Sequence, residues 1–340
     1  MNPFTYSSPT DLPSALALLG KQWGRTEILA GGTDLLALLK DDILAPSQLV
    51  NIKKVDELQS LIVDSNKGLQ AGCLITLDEL AREKRVAQLY PALAMALNDA
   101  ASPQIRNMAT LGGNLCQRPR CWYFRNGYGL LALDANGDSM VLKGDNRYHA
   151  ILGNTGPAYF VSPSTIAPVL VALGAKIDIA GPKGSRSIPL EKFYRIPLRQ
   201  GEREHDLAPN EMVVRMKLPP PVAGSSTSYY EVRQKHGFDW PLATATVSFQ
   251  KNRDSVTDAS VVLGHVAPVP WRSKEAEATL VGKVIDELVA SDASNAALQP
   301  ARNLGQNGYK VQVARVALKR AILEAAGVKV PSVHPRGVRS

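Results

Sequence analysis

Two short stretches of this chain put glycines, a hydroxyl and a helix start where an anion can lie against main-chain N–H groups. The first is Ile28-Leu29-Ala30-Gly31-Gly32-Thr33-Asp34-Leu35. Glycines there free the backbone for positive φ and leave room for a phosphate. Thr33 adds a hydroxyl donor, and the helix N-terminus behind it favours negative charge. The second runs from Gln104 through Ile105, Arg106, Asn107, Met108, Ala109, Thr110 and Leu111 to Gly112-Gly113-Asn114. It reads as another Gly-Gly turn, with Arg106 nearby and a side-chain amide just after. Each stretch, taken alone, also suits an ordinary tight turn. Neither is GxGxxG or ends in GK[ST], so the Rossmann and Walker readings are weak. Two such turns in one domain suit a dinucleotide, whose pyrophosphate and sugar hydroxyls two loops can grip from both sides.

The elements that must position these turns follow from the pattern. Thr10 or Asp11 caps a helix with Pro13 in its first turn, and Gly20 ends it. Glu27 to Ala30 is a short strand, Leu35 to Lys40 a helix, and Gln48 to Ile52 another strand. Leu69 to Cys73 and Thr76-Leu77-Asp78-Glu79-Leu80 read as a strand followed by a capped helix. Tyr90 to Ala100 and Thr165 to Gly174 read as apolar helices, and Leu130 to Ala150 as irregular. Ala175 to Ile179 and Met212 to Leu218 are strands. Pro219 to Ser226 forms a linker-like break. Beyond it come strands at Thr244–Gln250 and Ala259–Leu263, then helices at Glu275–Ala290 and Val311–Ala326.

The 340 residues carry a net charge of +8, with basic residues spread rather than blocked. The excess favours solubility and attraction to anions, and no aromatic-basic patch points to nucleic acid. The N-terminus has no basic n-region followed by an apolar run, and no stretch approaches eighteen apolar residues. No signal peptide or membrane span is therefore expected, and the chain reads as cytoplasmic unless a partner's signal exports it. Three cysteines, Cys73, Cys116 and Cys121, are too few and too uneven for a disulfide framework.

The loop Ala30-Gly31-Gly32-Thr33-Asp34-Leu35 and the later Ile105 to Asn114 segment resemble the two flavin-binding segments of a known family. It is that of the FAD-binding medium subunits of molybdenum hydroxylases, of the xanthine, aldehyde and carbon monoxide dehydrogenase kind. Pro3-Phe4-Thr5-Tyr6, Val213 to Pro220 and the C-terminal region fit as well. The two motifs stand in the right order about eighty residues apart, and the pair is specific. The resemblance implies an α+β fold. An FAD-binding PCMH-type domain of the vanillyl-alcohol-oxidase kind spans 1–221, in two lobes of roughly 1–55 and 56–221. A smaller α+β domain of the CO dehydrogenase flavoprotein C-terminal type spans 225–328, and 329–340 form a mobile tail. Ile28 to Leu35, Arg106, Thr110 and Gly112 to Asn114 would hold FAD. The partners implied are a small [2Fe–2S] subunit and a large molybdenum-cofactor subunit, with electrons leaving the flavin to an external acceptor.

Three departures stand out. The family's His-Pro-Ser-Asp stretch is Ser162-Pro163-Ser164-Thr165 here, and its lysine after the tyrosines is Glu231. One branch carries a [4Fe–4S] cluster in a loop whose first cysteine matches Cys121. No cysteine follows Cys121 here, and Leu130, Met140 and Ala158 are not thiolate ligands. We therefore expect no [4Fe–4S] cluster. His205, His236 and His265 lack a partner at ligand spacing. Trp122, Tyr123 and Trp240 suit either core packing or a flavin ring. A stand-alone flavin oxidoreductase and a flavin-free scaffold subunit are the alternative functions.

Overall fold

The computed structural model describes residues 1–235, 239–328 and Val330. His236, and the tail from 329 apart from Val330, lie outside the described residues. Three sheets organise the chain. β1 (Thr5–Ser7), β2 (Thr26–Leu29) and β3 (Gln48–Asn51) form a small parallel sheet in the order β1-β3-β2. Parallel neighbours need crossovers, and the helices Leu12–Ala17 and Leu35–Lys40 occupy them. Asp11 caps the first helix, accepting from Ser14 N–H at 2.8 Å.

The second sheet is antiparallel, with β4 (Leu61–Asp64), β5 (Gly68–Gly72), β6 (Lys176–Gly181), β7 (Gly184–Pro189) and β8 (Met212–Leu218) in the order β4-β5-β8-β6-β7. Residues between β5 and β6 supply the helices that cover it. One is Leu77–Arg82, closed by a capping box: Thr76 Oγ1 accepts from Glu79 N–H at 3.1 Å, and the Glu79 carboxylate accepts from Thr76 N–H at 2.7 Å. Both N-terminal sheets share one apolar core, which includes Val50, Leu69, Leu97, Leu170 and Met216.

The third sheet, β9 (Ser225–Val232), β10 (Ala243–Asn252), β11 (Ser255–Gly264) and β12 (Trp271–Arg272), is an antiparallel meander. It packs with helices Glu287–Leu298 and Tyr309–Ala326 around a second core. The segment before β6 ties the two parts together. Ile151 and Leu152 lie in the second core, and both donate main-chain N–H bonds to Val266 O. Lys310, on the last long helix and fully buried, donates to Tyr148 O at 3.0 Å and His265 O at 2.8 Å.

Several elements differ from the sequence reading. Ser225–Ser226 opens a strand rather than closing a linker, because β9 pairs along its length with β10. The expected helix Glu275–Ala290 is two helices. The first ends at Leu280, Gly282 takes φ +80° in the left-handed region, and Asp286 caps a new helix by accepting from Val289 N–H at 2.8 Å. β1, β4 and β7 escaped the pattern, since each is short and lacks clean alternation. Gly112-Gly113-Asn114 is not a free turn but lies within the helix Leu111–Cys116, capped by Thr110.

Candidate functional site

The first glycine segment leaves β2 and enters the helix Leu35–Lys40. Gly32 takes φ +75°, which an L side chain adopts only under strain. Gly31 has a different task. A Cβ on it would lie 1.8 Å from Met108 O, so its missing side chain is what lets the first loop touch the second.

The second segment is pinned to the β5 end of the other sheet. Leu111 N–H donates to Ile75 O at 2.8 Å and Gly112 N–H to Cys73 O at 2.9 Å. A Cβ on Gly112 would stand 2.7 Å from the Cys73 Cβ, so this glycine also serves a close approach. Gly113 N–H is capped by Thr110 Oγ1 at 3.1 Å. A Cβ on Gly113 would lie 2.9 Å from that same hydroxyl, so a side chain here would disturb the cap. Close approach explains Gly31 and Gly112, and the Thr110 cap explains Gly113.

Together the loops line one cleft of about 1220 Å³, counting space open to solvent. Of the residues expected to bind, Ile28, Ala30, Gly31, Gly32, Thr33, Asp34, Leu35, Thr110, Gly112 and Gly113 line it. Leu29, Arg106 and Asn114 do not. The Arg106 guanidinium turns away and donates to Ala100 O at 2.9 Å and Ala101 O at 3.2 Å, closing its own helix end. Asn114 Oδ1 accepts from Ser164 Oγ at 2.6 Å, joining the second segment to the stretch before the helix Ala167–Ala172.

Asp34 is a clamp. Its carboxylate accepts from Arg118 N–H at 2.7 Å and from the Arg125 guanidinium at 2.8 Å, and it pairs with Arg120 at 3.0 Å. It thereby fixes the 118–125 loop against the first glycine segment. Removing one partner of a part-buried ion network leaves the others desolvated and unpaired. Asp34→Ala is expected to lower unfolding stability by about 3 kcal/mol, read as a shift of the first denaturation midpoint. Asp34→Asn, which keeps one acceptor, should lose less. Equal midpoints for all three proteins would dismiss the clamp.

A charged part of the cleft lining was not foreseen. Trp23, Glu27, Arg118, Arg203 and His205 line it. Arg118 pairs with Glu204, which is 3% exposed. Burial alone would push the Glu204 carboxyl up, but the Arg118 guanidinium, with His205 and Arg203, holds it below the usual range. Arg203 and Glu204 lie far from Glu27 in sequence, so no spacing rule joins them. The only local sign was an acidic residue in an apolar strand.

The cysteines are sequestered. Burial pushes the Cys116 thiol up to about 12 and pushes Cys73 and Cys121 up as well. Cys121 Sγ lies 3.1 Å from His149 Nε2. Cys121 packs against the small apolar cluster of Leu131, Ala158 and Phe160. Among the described residues, no three His, Cys, Asp or Glu side chains gather as a metal site. Trp122 and Tyr123 pack against His149, and Trp240 stacks under Arg120 at 4.7 Å.

An α+β chain whose two glycine segments meet and line one cleft, beside a separate sheet-and-helix domain, has the build of a flavoprotein subunit. Residues 2–221 match the FAD binding domain in molybdopterin dehydrogenase, and residues 228–325 match the CO dehydrogenase flavoprotein C-terminal domain. The chain belongs to this family, that of the FAD-binding subunits of molybdenum hydroxylases. It is 33% identical to the aldehyde oxidoreductase FAD-binding subunit PaoB of Escherichia coli K12, over 96% of this chain and 99% of that one. It is 27% identical to the carbon monoxide dehydrogenase medium chain of Hydrogenophaga pseudoflava, over 94% and 96%. Its fold matches the crystal structure of quinoline 2-oxidoreductase from Pseudomonas putida 86 with a TM-score of 0.72 and 25% identity, covering 95% of this chain and 97% of the other.

Proposed function

We propose that this chain holds FAD in the cleft between its glycine segments and serves as the electron-transfer subunit of a molybdenum hydroxylase. The observation that carries this is the contact of the two segments at Gly31 and Met108, which makes one cradle from two distant motifs. The residues suit the group. Gly32 takes a backbone angle that bends the loop, Gly31 and Gly112 give up side-chain space so that the segments meet, and Thr33 lines the cleft. When bound, FAD supplies the redox chemistry, and the protein positions and tunes it.

The chain's own contribution is to hold and orient. The first glycine segment and the helix start behind it would face the pyrophosphate, while in the second segment the Leu111, Gly112 and Gly113 N–H groups are taken by Ile75 O, Cys73 O and Thr110 Oγ1. Asp34 fixes the neighbouring loop through three arginines. Among the described residues, nothing in the cleft forms a nucleophile–base pair or a metal site for an organic substrate. Hydroxylation therefore belongs to a large molybdenum-cofactor partner. Electrons arrive from a small [2Fe–2S] partner and leave to an external acceptor.

No [4Fe–4S] cluster belongs to this chain. The support is chemical: Cys121 is engaged by His149 and packed on Leu131, Ala158 and Phe160, while Cys73 and Cys116 line the wall of the cleft. Three cysteines fall one thiolate short of a four-thiolate set, and bringing them together would dismantle that wall.

The purified chain should be yellow, and acid or heat should release FAD into the supernatant in about equal amount to protein. Iron should stay at trace level in anaerobically prepared protein, and Cys121→Ser should keep its flavin. A colourless protein that takes up no added FAD would sink the flavin reading. Stoichiometric iron lost in Cys121→Ser would sink the cluster-free one.

A further inference from the structure

A second cavity, of about 880 Å³ counting space open to solvent, lies where the two domains meet. One part of its lining comes from residues 120–163 and the other from residues 234–310, and it shares no lining residue with the glycine-segment cleft. Its walls are largely apolar and flat. Trp122 meets the Tyr148 and His149 rings edge-on, at centroid distances of 5.7 and 5.6 Å. Phe160 is buried beneath, and Trp240, 43% exposed, stands at the surface. The Arg120 guanidinium lies 4.7 Å from the Trp240 ring centre, so a cation and an aromatic face are presented together.

Charge around this wall is unbalanced. Asp34 is the partner of both the Arg120 and the Arg125 guanidinium, at 3.0 and 2.8 Å, so one carboxylate serves two cations. The buried Nε of Arg120 has no hydrogen-bond partner among the described residues. Lys310, fully buried, also lines the cavity. Its ammonium donates to the main-chain carbonyls of Tyr148, His149 and His265, which hydrogen-bonds the charge without neutralising it. Among the described residues, Asp239 is the one carboxylate on the lining. Arg120, Arg125 and Lys310 thus stand against Asp34 and Asp239, with one positive charge in excess. His149 and His265, lowered by burial to about 4 and about 3, add none near neutral pH. Burial lowers Lys310 to about 7, and an anion beside it holds its proton on.

We propose that this cavity binds a flat aromatic acid with a single carboxylate, the ring lying against Trp240 and Phe160 and the carboxylate on Arg120, within the field of Lys310. The aromatic walls suit a planar body. A guanidinium suits a carboxylate, which it meets with paired donors. A monoanion matches the one excess charge, whereas a second charge would be desolvated without a partner. The ligand touches both domains, so its binding adds to the stability of the whole chain. The proposal does not depend on the flavin reading.

The test adds naphthoate, or its neutral isostere naphthamide, to the full-length chain, both flavin-stripped and saturated with FAD. Equilibrium dialysis gives the affinity, and the thermal midpoint gives the linked stability. Naphthoate should bind saturably, raise the midpoint, and bind about 10-fold or more tightly than naphthamide. FAD should leave its affinity unchanged. Trp240→Ala, at an exposed position that does not threaten folding, should weaken both ligands. Arg120→Gln should bring naphthoate down to the level of naphthamide and leave naphthamide as it was. No saturable binding of naphthoate, equal affinity for acid and amide, displacement of naphthoate by FAD, or parental naphthoate affinity in both variants would each overturn the assignment.

Discussion

Gly31→Ala is expected to leave the protein folded but without its flavin. The added methyl would lie 1.8 Å from Met108 O, far inside contact distance, and that oxygen belongs to backbone rather than to a mobile side chain. The first loop must therefore swing away from the second by more than 1 Å. Local overpacking of this kind costs about 1–3 kcal/mol, which a domain with a large shared core can survive. The effect on the ligand is larger. A hydrogen bond from a main-chain N–H to a charged group contributes about 1.5–3 kcal/mol, and a displaced loop loses at least two. That corresponds to about a hundredfold or more in Kd.

Flavin content after gel filtration and the denaturation midpoint, measured together, check this prediction. Retained flavin at parental affinity would mean that the two segments do not act as one cradle. Gly32→Asp separates geometry from charge. Aspartate tolerates positive φ better than most residues, so its fold is nearly kept. Its Cβ would meet the Leu36 and Leu29 side chains at 3.2–3.3 Å, so a charge is forced into the turn that would carry the phosphate, and flavin should again be lost. An unchanged Gly32→Asp would place the phosphate elsewhere.

Stability is expected to fall steeply between pH 6.5 and pH 4.5, before most carboxylates titrate. Three histidines are buried and neutral. Burial lowers His149 and His205 to about 4 and His265 to about 3, with the nearby Lys310 adding to the effect at His149 and His265. The Lys310 ammonium donates to main-chain carbonyls of residues 148, 149 and 265, and so stands against both rings. In the unfolded chain these imidazoles titrate near the usual value, about 6.5. Between the two limits the unfolded state binds more protons, so stability rises with pH across that window.

The contribution is complete above about pH 6.5 and is lost as the pH falls toward the folded values. Each histidine contributes up to about 3 kcal/mol, so the three together outweigh any single substitution considered above. Glu27 and Glu231, whose carboxyls burial pushes up, act in the opposite sense and moderate the loss at lower pH. Urea midpoints measured from pH 7.5 to 4.5 should fall with a slope approaching three protons. His205→Phe should flatten the curve by about one of them. A midpoint that holds steady down to pH 5 would contradict neutral burial of these rings.

Much of the site was legible in the sequence. A glycine pair after a strand and before a helix follows local backbone rules, so Gly31–Thr33 could be picked out without coordinates, whereas Gly112-Gly113 read as a turn and lies inside a helix. Apolar periodicity likewise placed the helices at Leu35–Lys40 and Pro91–Asp99 and the strands around Leu69, Met212 and Val247. The absence of cysteines after Cys121 was equally plain, because a missing ligand type needs no geometry.

What the sequence could not supply is which groups meet. Nothing local says that Gly31 is glycine because Met108 O lies against it, or that Gly112 yields its space to Cys73. Arg106 looked like a phosphate ligand by proximity in sequence, yet its helix turns the guanidinium onto Ala100 and Ala101. Asp34 looked like part of the cradle, and it proves also to anchor three arginines about ninety residues away. Glu27 and Arg203 share the cleft although 176 positions separate them. Backbone angles and apolar period are properties of a few consecutive residues, and the sequence determines them by itself. Close approach, desolvation and unpaired charge are properties of groups brought together by sheets whose strands lie far apart in the chain, and only the tertiary structure decides those.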